Sequence, residues 1–217
     1  MKIFTTKFST IIMLSLLILL VTSTVYAQDG SYVKDGTYIG GYFTKNNMSG
    51  DFNNQILGNP LGEFIVPAEI DDGTGFGIVL GHRQQKVSFE LGYQRSNHDL
   101  SLFVEDASYN VIDLNFKIDV FERNQIRPYV LFGFGFPWIT IEDGLYDYYD
   151  DSVEDATYWG WALNAGAGVS YYFQPQWAVT GGLIYRWNWF TGAEGGSLED
   201  TLLEKAFCLR IGLAYTF

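Results

Sequence analysis

The last thirteen residues of the chain alternate between two kinds of side chain. Every odd position from Phe207 onward is apolar or aromatic: Phe207, Leu209, Ile211, Leu213, Tyr215 and Phe217. The even positions are Ala206, Cys208, Arg210, Gly212, Ala214 and Thr216. Because successive side chains of a β-strand point to opposite faces, this period of two predicts a strand whose apolar face runs to the final residue. An apolar face of this kind is typical of a strand that borders lipid.

The same alternation recurs along the chain. It is clearest in residues 109–121, where Ile112 and Leu114 alternate with Asp113 and Asn115. The first such segment is rich in aromatic residues and glycine, and its pattern does not distinguish its two faces. The predicted strands are 37–44, 74–82, 86–95, 109–121, 127–139, 158–173, 177–189 and 205–217.

The connections between these strands alternate in length. Long ones are predicted at about 48–72, 97–108, 141–157 and 191–203, and short ones at 84–85, 122–126 and 174–176. Outer-membrane barrels have an even number of strands, long extracellular loops and short periplasmic turns. The pattern therefore predicts an all-β fold, an eight-stranded antiparallel up-and-down transmembrane β-barrel with both termini in the periplasm. Within it, Pro137 predicts a bulge or the end of strand pairing.

The N-terminal segment has a different composition. Lys2 and Lys7 precede an apolar run at 11–21, and Val25-Tyr26-Ala27 offers small residues where a signal peptidase cleaves. This order predicts a cleavable signal peptide over residues 1–27, leaving a barrel domain over 28–217. The alternative is an uncleaved membrane anchor, but eleven apolar residues are short for a spanning helix.

Charge and cysteine content narrow the possible functions. Residues 1–27 contain two of the 13 basic residues and no acid, so the remaining chain has 25 acidic and 11 basic side chains and a formal charge of -14. Nucleic-acid binding requires clustered lysine and arginine, which this chain lacks. Cys208 is the single cysteine, and no His/Cys spacing indicates zinc. We expect no metal and no cofactor.

All six tryptophans fall at predicted outward positions near strand ends. Ten residues separate Trp177 from Trp187, which corresponds to a rise of roughly 25 Å in a tilted strand, the height of the apolar band. Indole side chains prefer the two membrane interfaces, so we predict an aromatic girdle. Its members are Trp138, Trp159, Trp161, Trp177, Trp187 and Trp189.

Several short motifs resemble a known family. Arg127-Pro128-Tyr129-Val130 leads into a Gly-Phe-Gly strand, Gly166-Ala167-Gly168-Val169 lies in a strand that ends at Gln174-Pro175-Gln176-Trp177, and the chain ends in Tyr215-Thr216-Phe217. These patterns resemble the eight-stranded outer-membrane β-barrels that include OmpA, OmpX and OmpW. The resemblance implies an outer-membrane location among lipid and lipopolysaccharide. It also implies that Tyr215 and Phe217 are the signal read by the barrel assembly machinery. Unlike OmpA, the chain is expected to lack a peptidoglycan-binding domain.

Charged residues occupy the predicted inward face. Glu90 and Lys117 lie at similar heights on neighbouring strands and are expected to pair. The interior of an eight-stranded barrel is just wide enough to be filled by side chains, which favours a packed polar core. The alternative is a gate whose ion pairs rearrange to pass ions. The inward charges are Lys86, Glu90, Asp113, Lys117, Asp119, Arg127, Arg186 and Arg210, with Asn115 and Asn164 beside them.

The third long loop is acidic and rich in tyrosine. Three interpretations stay open: solvated surface, a calcium site and a surface that binds a partner protein. Its spacing does not match a calcium-loop motif. The acidic residues are Glu142, Asp143, Asp147, Asp150, Asp151, Glu154 and Asp155, interleaved with Tyr146, Tyr148 and Tyr149.

Catalysis is the least favoured interpretation. Some small outer-membrane barrels modify lipid A, using a histidine with a serine or acid near the outer rim. His82 is predicted at the periplasmic end, whereas His98, with Ser96, Asp99 and Ser101, is at the required height. The sequence thus favours a non-enzymatic structural or surface-interaction role, with a narrow channel as the alternative and a lipid A-modifying enzyme as the lesser one.

Overall fold

The computed structural model describes residues 33–50, 57–58, 64–65, 70–100, 106–121, 125–147, 152–194 and 201–217. Eight of its strands form a closed antiparallel barrel, and two strands of two residues form a separate small hairpin. The strands are β1 (Gly36–Gly50), β2 (Leu57–Gly58), β3 (Phe64–Ile65), β4 (Ile70–Gln84), β5 (Val87–Leu100), β6 (Asp106–Asp119), β7 (Ile126–Asp147), β8 (Ser152–Gln174), β9 (Trp177–Glu194) and β10 (Leu202–Thr216). The predicted signal peptide lies outside the described residues.

The barrel strands pair in sequence order, and β1 closes the ring by pairing with both β4 and β10. In the closing pair, Tyr38 faces Thr216 across the ladder and Asn46 faces Cys208. The predicted all-β, eight-stranded fold and its closure by the first and last strands are confirmed. Among the described residues, no helix has the length and apolar composition needed to cross a membrane.

The two faces of each strand differ as the period of two requires. In β1, whose facing the sequence left open, Tyr38 and Asn46 point into the barrel and are buried, whereas Phe43 is 79% exposed on the outside. The outward positions of the other strands are occupied by large apolar side chains such as Phe134 and Ile211. These side chains are exposed in the isolated chain because the surface they form is suited to lipid rather than water.

The two ends of the barrel differ. At one end, which we call the short-turn end, Gln85–Lys86 and Pro175–Gln176 form two-residue turns, and Phe217 donates a backbone hydrogen bond to Thr37. Gln85 has a φ of 56° and its backbone N–H donates to Asp35 Oδ1 at 3.0 Å. At the opposite end, which we call the long-loop end, lie the strand ends Gly50, Ile70, Leu100, Asp106, Asp147, Ser152, Glu194 and Leu202.

The strands are longer at this end than the alternation predicted. Much of the predicted loop at 141–157 is strand, because β7 continues to Asp147 and β8 begins at Ser152. The prediction that Pro137 ends the pairing or causes a bulge is wrong. Pairing toward β8 skips residues 136–137, since proline has no N–H to donate, and resumes in the same register at Trp138. A bulge occurs instead in the β8–β9 pairing, between Trp159 and Gly160.

The longest strands, β7 and β8, extend beyond their neighbours. Their outer partners stop at the pairs Ala107–Ile141 and Glu194–Thr157. Beyond these pairs, and after a register shift, β7 and β8 pair only with each other, as in the pair Leu145–Glu154. We call residues 142–147 and 152–156 the β7–β8 ribbon. Both of its outer edges have no strand partner among the described residues.

Candidate functional site

The inward face of the barrel carries a cluster of buried charges near the short-turn end. Asp119, which is 1% exposed, lies between two arginines. Its Oδ2 is 3.8 Å from Arg83 Nε and 3.5 Å from Arg127 Nη1. The ring of Tyr172 lies against both guanidinium groups, with centroid distances of 5.0 Å and 5.5 Å. The Asp119 carboxylate is thus the ion-pair partner of two guanidinium groups. We call Arg83, Asp119 and Arg127 the lower triad.

A second group of the same composition lies in the middle of the lumen. Asp113 Oδ2 accepts hydrogen bonds from Arg186 Nη2 at 2.6 Å and from Arg210 Nη2 at 3.1 Å. The Asp113 carboxylate also accepts from Asn164 Nδ2 at 2.9 Å, and the Asn164 side-chain oxygen accepts from Arg186 Nε at 2.8 Å. Gln94 Oε1 accepts from Arg210 at 2.7 Å. We call Asp113, Arg186 and Arg210 the middle triad.

The structure brings Glu90 and Lys117 together between the two triads. Glu90 Oε1 lies 3.8 Å from Lys117 Nζ and accepts a hydrogen bond from the Tyr38 hydroxyl at 2.5 Å. The Lys117 ammonium donates to Ser170 Oγ at 3.2 Å and lies 4.2 Å from the centroid of the Tyr129 ring. Each charge of this pair therefore has further polar or aromatic partners. The proposed gating role of the pair stays a prediction.

A cavity of about 60 Å³ lies beside this pair. Its charged lining comes from Arg83 of the lower triad, Arg210 of the middle triad, Glu90 and Lys117. Its polar and apolar lining includes Tyr38, Tyr42, Tyr129, Tyr172, Asn115, Thr180 and several small or aliphatic residues. This cavity has room for water molecules or a small ion.

The lumen changes character toward the long-loop end. Seven of the eight barrel strands each contribute an apolar side chain there, and all of these belong to one buried hydrophobic cluster. We call this set the apolar layer: Met48, Ile70, Ala107, Ile139, Tyr158, Phe190 and Leu202, each 5% exposed or less. The remaining strand, β5, contributes His98, which is opposite Ala107 in the β5–β6 ladder. The lumen is therefore mainly apolar at this level, with His98 as the polar side chain beside the layer.

The serine, histidine and acid considered for catalysis are not brought together. His98 Nε2 lies 2.9 Å from Ser96 Oγ, and both side chains are buried inside the barrel. Ser96 Oγ also accepts a hydrogen bond from Asn46 Nδ2 at 2.7 Å. Asp99 is exposed on the opposite face of β5. Ser101 lies outside the described residues. The structure gives His98 a place in a polar interior network.

Lys86 was predicted to be one of the inward charges. Lys86 is not in the lumen, because it lies in the exposed turn that follows Gln85. The prediction is wrong because β5 begins one residue later than its alternation suggested.

In the acidic loop, Asp150 and Asp151 lie outside the described residues. Among the residues that the structure describes, no group of three or more His, Cys, Asp or Glu side chains is placed to hold a metal ion.

The predicted aromatic positions lie on the outside of the barrel. The Trp161 and Trp189 rings stack with centroids 4.2 Å apart near the long-loop end. At the short-turn end the Tyr215 ring lies 4.8 Å from Trp177 and 5.3 Å from Phe217. The other predicted girdle members, Trp138, Trp159 and Trp187, are also at outward, partly exposed positions. The girdle and assembly-signal roles stay predictions.

Sequence reasoning missed several members of the charged lumen. Arg83 was missed because the predicted strand ended at His82, although the odd positions of β4 face inward and would have included it. Tyr38 was missed because the pattern of the first strand does not distinguish its two faces. Extending the alternation one residue would have found Arg83.

The comparisons with known proteins agree with this geometry. The sequence matches the family described as "Outer membrane protein beta-barrel domain" over residues 14–217. Among curated proteins no significant sequence relative is found. The fold is similar to that of Neisserial surface protein A (NspA), with a TM-score of 0.60, 17% identity and coverage of 84% of this chain and 97% of that chain.

Two other solved structures share the fold. OprG from Pseudomonas aeruginosa gives a TM-score of 0.51, with 15% identity and coverage of 87% of this chain and 99% of that chain. Ail, the attachment invasion locus protein of Yersinia pestis, gives a TM-score of 0.50, with 13% identity and coverage of 85% of this chain and 100% of that chain. Because the family match extends over most of the sequence, this chain is a member of the outer membrane protein β-barrel family and is located in the outer membrane.

Proposed function

We propose that this barrel is a non-enzymatic protein that acts at the cell surface through the acidic β7–β8 ribbon. The observation that carries the proposal is the extension of β7 and β8 beyond their neighbouring strands. At about 3.3 Å per residue, the six residues of β7 after Ile141 add up to about 20 Å of strand. We assign the long-loop end to the outside and the chain termini to the periplasm, following the loop asymmetry of such barrels.

The composition of the ribbon and of the four residues that join its strands supports a binding role. Residues 142–156 contain seven acidic side chains, three tyrosines and no basic residue. Tyrosines supply large contact areas, and an acidic surface attracts basic partners. A strand edge that extends beyond its neighbouring strands is also suited to pairing with an added strand. Another barrel with this fold, Ail, is named the attachment invasion locus protein.

The alternative function is a narrow channel. The cavity beside Glu90 and Lys117 favours it, because it provides a polar space inside the barrel. The apolar layer argues against it, since a hydrophobic constriction of packed side chains excludes hydrated ions. The buried triads would likewise have to break charged contacts to let an ion pass.

Adhesion tests the surface role. Cells that display the barrel are applied to surfaces coated with a basic protein, lysozyme, at physiological ionic strength. We expect a variant in which the seven carboxylates of residues 142–156 are replaced by amides to lose about tenfold or more of the adhesion. The matched control is Asp72→Asn with Asp99→Asn, which neutralises two exposed carboxylates outside the ribbon. Equal adhesion of all three proteins, with folding confirmed by heat-dependent gel mobility, would reject the proposal.

A further inference from the structure

We propose that one side of the outer barrel wall binds the phosphate groups of lipid A, the membrane anchor of lipopolysaccharide. The contacts come from Lys45 of β1, Arg95 of β5 and Lys205 of β10, which we call the basic arc. The proposal rests on the orientation given under the proposed function, with the long-loop end outside. It does not depend on the binding role of the ribbon.

The three side chains of the basic arc occupy equivalent positions on the outer wall. All three are exposed, and each is the first outward residue beyond the apolar part of its strand. The outward residues that precede them, two positions closer to the short-turn end, are Phe43, Tyr93 and Phe207. Because acyl chains border the apolar part of the wall, the basic groups lie at the level of the lipid headgroups. We call this position on each strand the headgroup level.

The headgroup level of the other five barrel strands has no charged residue. Its members there are threonine or asparagine: Thr74, Asn110, Thr140, Thr157 and Thr191. Among the described residues, this level therefore has three positive charges and no negative one, in a chain whose formal charge is -12. A local charge opposite in sign to that of the whole chain indicates an anionic partner at this depth.

The pairing of the strands brings the three basic residues to one side of the barrel. Lys45 and Lys205 are on neighbouring strands, and β4 alone lies between the strands of Lys45 and Arg95. Lys205 is four residues from the β10 partner of Lys45, and Arg95 is two residues from the β5 position in the same row. At about 3.3 Å per residue and 4.8 Å between strands, the Cα atom of Lys45 is about 12 to 14 Å from the other two. This spacing suits a headgroup with two phosphates on a disaccharide better than it suits one phosphate.

Acidic residues begin one outward position further toward the long-loop end. They are exposed and follow the headgroup level on β4, β7 and β8 as Asp72, Glu142 and Asp155. Lys45 Nζ lies 3.1 Å from Asp72 Oδ2, with both side chains largely in solvent. An exposed ion pair contributes little stability, and an ammonium has three N–H donors, so Lys45 can also donate to a phosphate. The change of sign over one outward position favours phosphates at the headgroup level and disfavours them above it.

Lipid A fits this charge pattern better than a zwitterionic phospholipid does. The phosphate of phosphatidylethanolamine is accompanied by an ammonium group of the same molecule, which would meet the basic arc as a like charge. The phosphates of lipid A have no such group. A hydrogen bond between a charged donor and a phosphate is roughly twice as strong as one between neutral groups. The basic arc therefore favours the lipid whose phosphates are uncompensated.

Binding is measured on the wild-type barrel in micelles of a neutral detergent. The protein is titrated with lipid A and with lipid A from which both phosphates have been removed, and bound lipid is counted by native mass spectrometry. We expect lipid A to bind about tenfold more tightly or better, since the two lipids differ only in their phosphates. Equal affinities would overturn the proposal. Phosphatidylglycerol is the third ligand, and an affinity equal to that of lipid A would reject lipid A as the specific partner.

Charge variants test the position of the contacts. Arg95→Gln with Lys205→Gln should weaken lipid A binding about fivefold or more and leave the binding of the dephosphorylated lipid unchanged. Lys34→Gln with Lys86→Gln is the matched control, because it removes two exposed positive charges at the short-turn end. Equal losses in the two double variants would reduce the effect to net charge and contradict the basic arc. Micelles impose no orientation and leave the ribbon intact, so a failure here is distinct from a failure of the adhesion test.

Discussion

The two halves of the lumen are filled by opposite means. From the short-turn end to the middle of the barrel, charged groups are buried in networks such as that of Asp113, Arg186 and Asn164. Toward the long-loop end, side chains such as Ile139 and Phe190 form the apolar layer. The first half derives its order from hydrogen bonds with fixed partners, and the second from packing. The comparison shows that one lumen combines two kinds of interior, a charged one and a mainly apolar one.

The largest effect is expected in the charged half. Asp113→Asn leaves Arg186 and Arg210 without a carboxylate, and breaking a buried ion pair typically costs about 3 to 5 kcal/mol. We expect a loss near 4 kcal/mol in the free energy of unfolding, measured by urea titration of the barrel in lipid vesicles. Arg210→Met is the control, because Asp113 keeps Arg186 at 2.6 Å and the loss should be less than half as large. Equal losses would mean that the shared carboxylate is unimportant.

The apolar half should respond to volume rather than charge. Phe190 is fully buried, and its replacement by alanine should cost about 3 kcal/mol through lost contacts and the cavity left behind. Phe134→Ala is the matched control, because Phe134 is 59% exposed on the lipid-facing side and its loss leaves no internal cavity. The same urea titration compares the losses in the free energy of unfolding of the two variants. A smaller loss for Phe190 than for Phe134 would contradict a packed layer.

The smallest predicted effect concerns the turn at the charged end. Gln85 adopts a left-handed conformation, which disfavours residues with a Cβ atom. Gln85→Gly should raise the free energy of unfolding by about 0.5 to 1 kcal/mol, since the hydrogen bond to Asp35 comes from the backbone and is kept. Gln84→Gly, at a position of regular strand conformation, should instead destabilise the barrel. The reverse order in the urea titration would exclude strain at Gln85.

The sequence could predict the barrel and part of its charged interior. The period of two defined all eight strands, and matching heights on neighbouring strands predicted the contact of Glu90 with Lys117. The sharing of Asp113 by Arg186 and Arg210 could not be predicted, because the contact crosses the lumen between residues 73 and 97 positions apart. This contact depends on the registers of all the strand pairs around the barrel, which together set the heights of residues on opposite sides of the lumen.

The apolar layer was beyond sequence reasoning for a different reason. Ile139, Phe190 and Leu202 have the same character as residues that face lipid, so composition does not separate the two faces where both are apolar. The extended ribbon was hidden in the same way, because acidic, tyrosine-rich residues between two strands are typical of a loop. In both regions the structure follows from which strands pair with each other and in what register, and the types of side chain alone do not reveal this.

The most direct test of the closed lumen is the conductance of the refolded barrel in a planar bilayer. The wild-type protein should give no discrete openings, whereas a variant with Ile139→Ser and Leu202→Ser, which makes the apolar layer polar and smaller, should conduct. Folding of both proteins is checked by heat-dependent gel mobility. Discrete wild-type openings that change with Lys117→Ala would contradict the account and identify the Glu90–Lys117 pair as the gate of a channel.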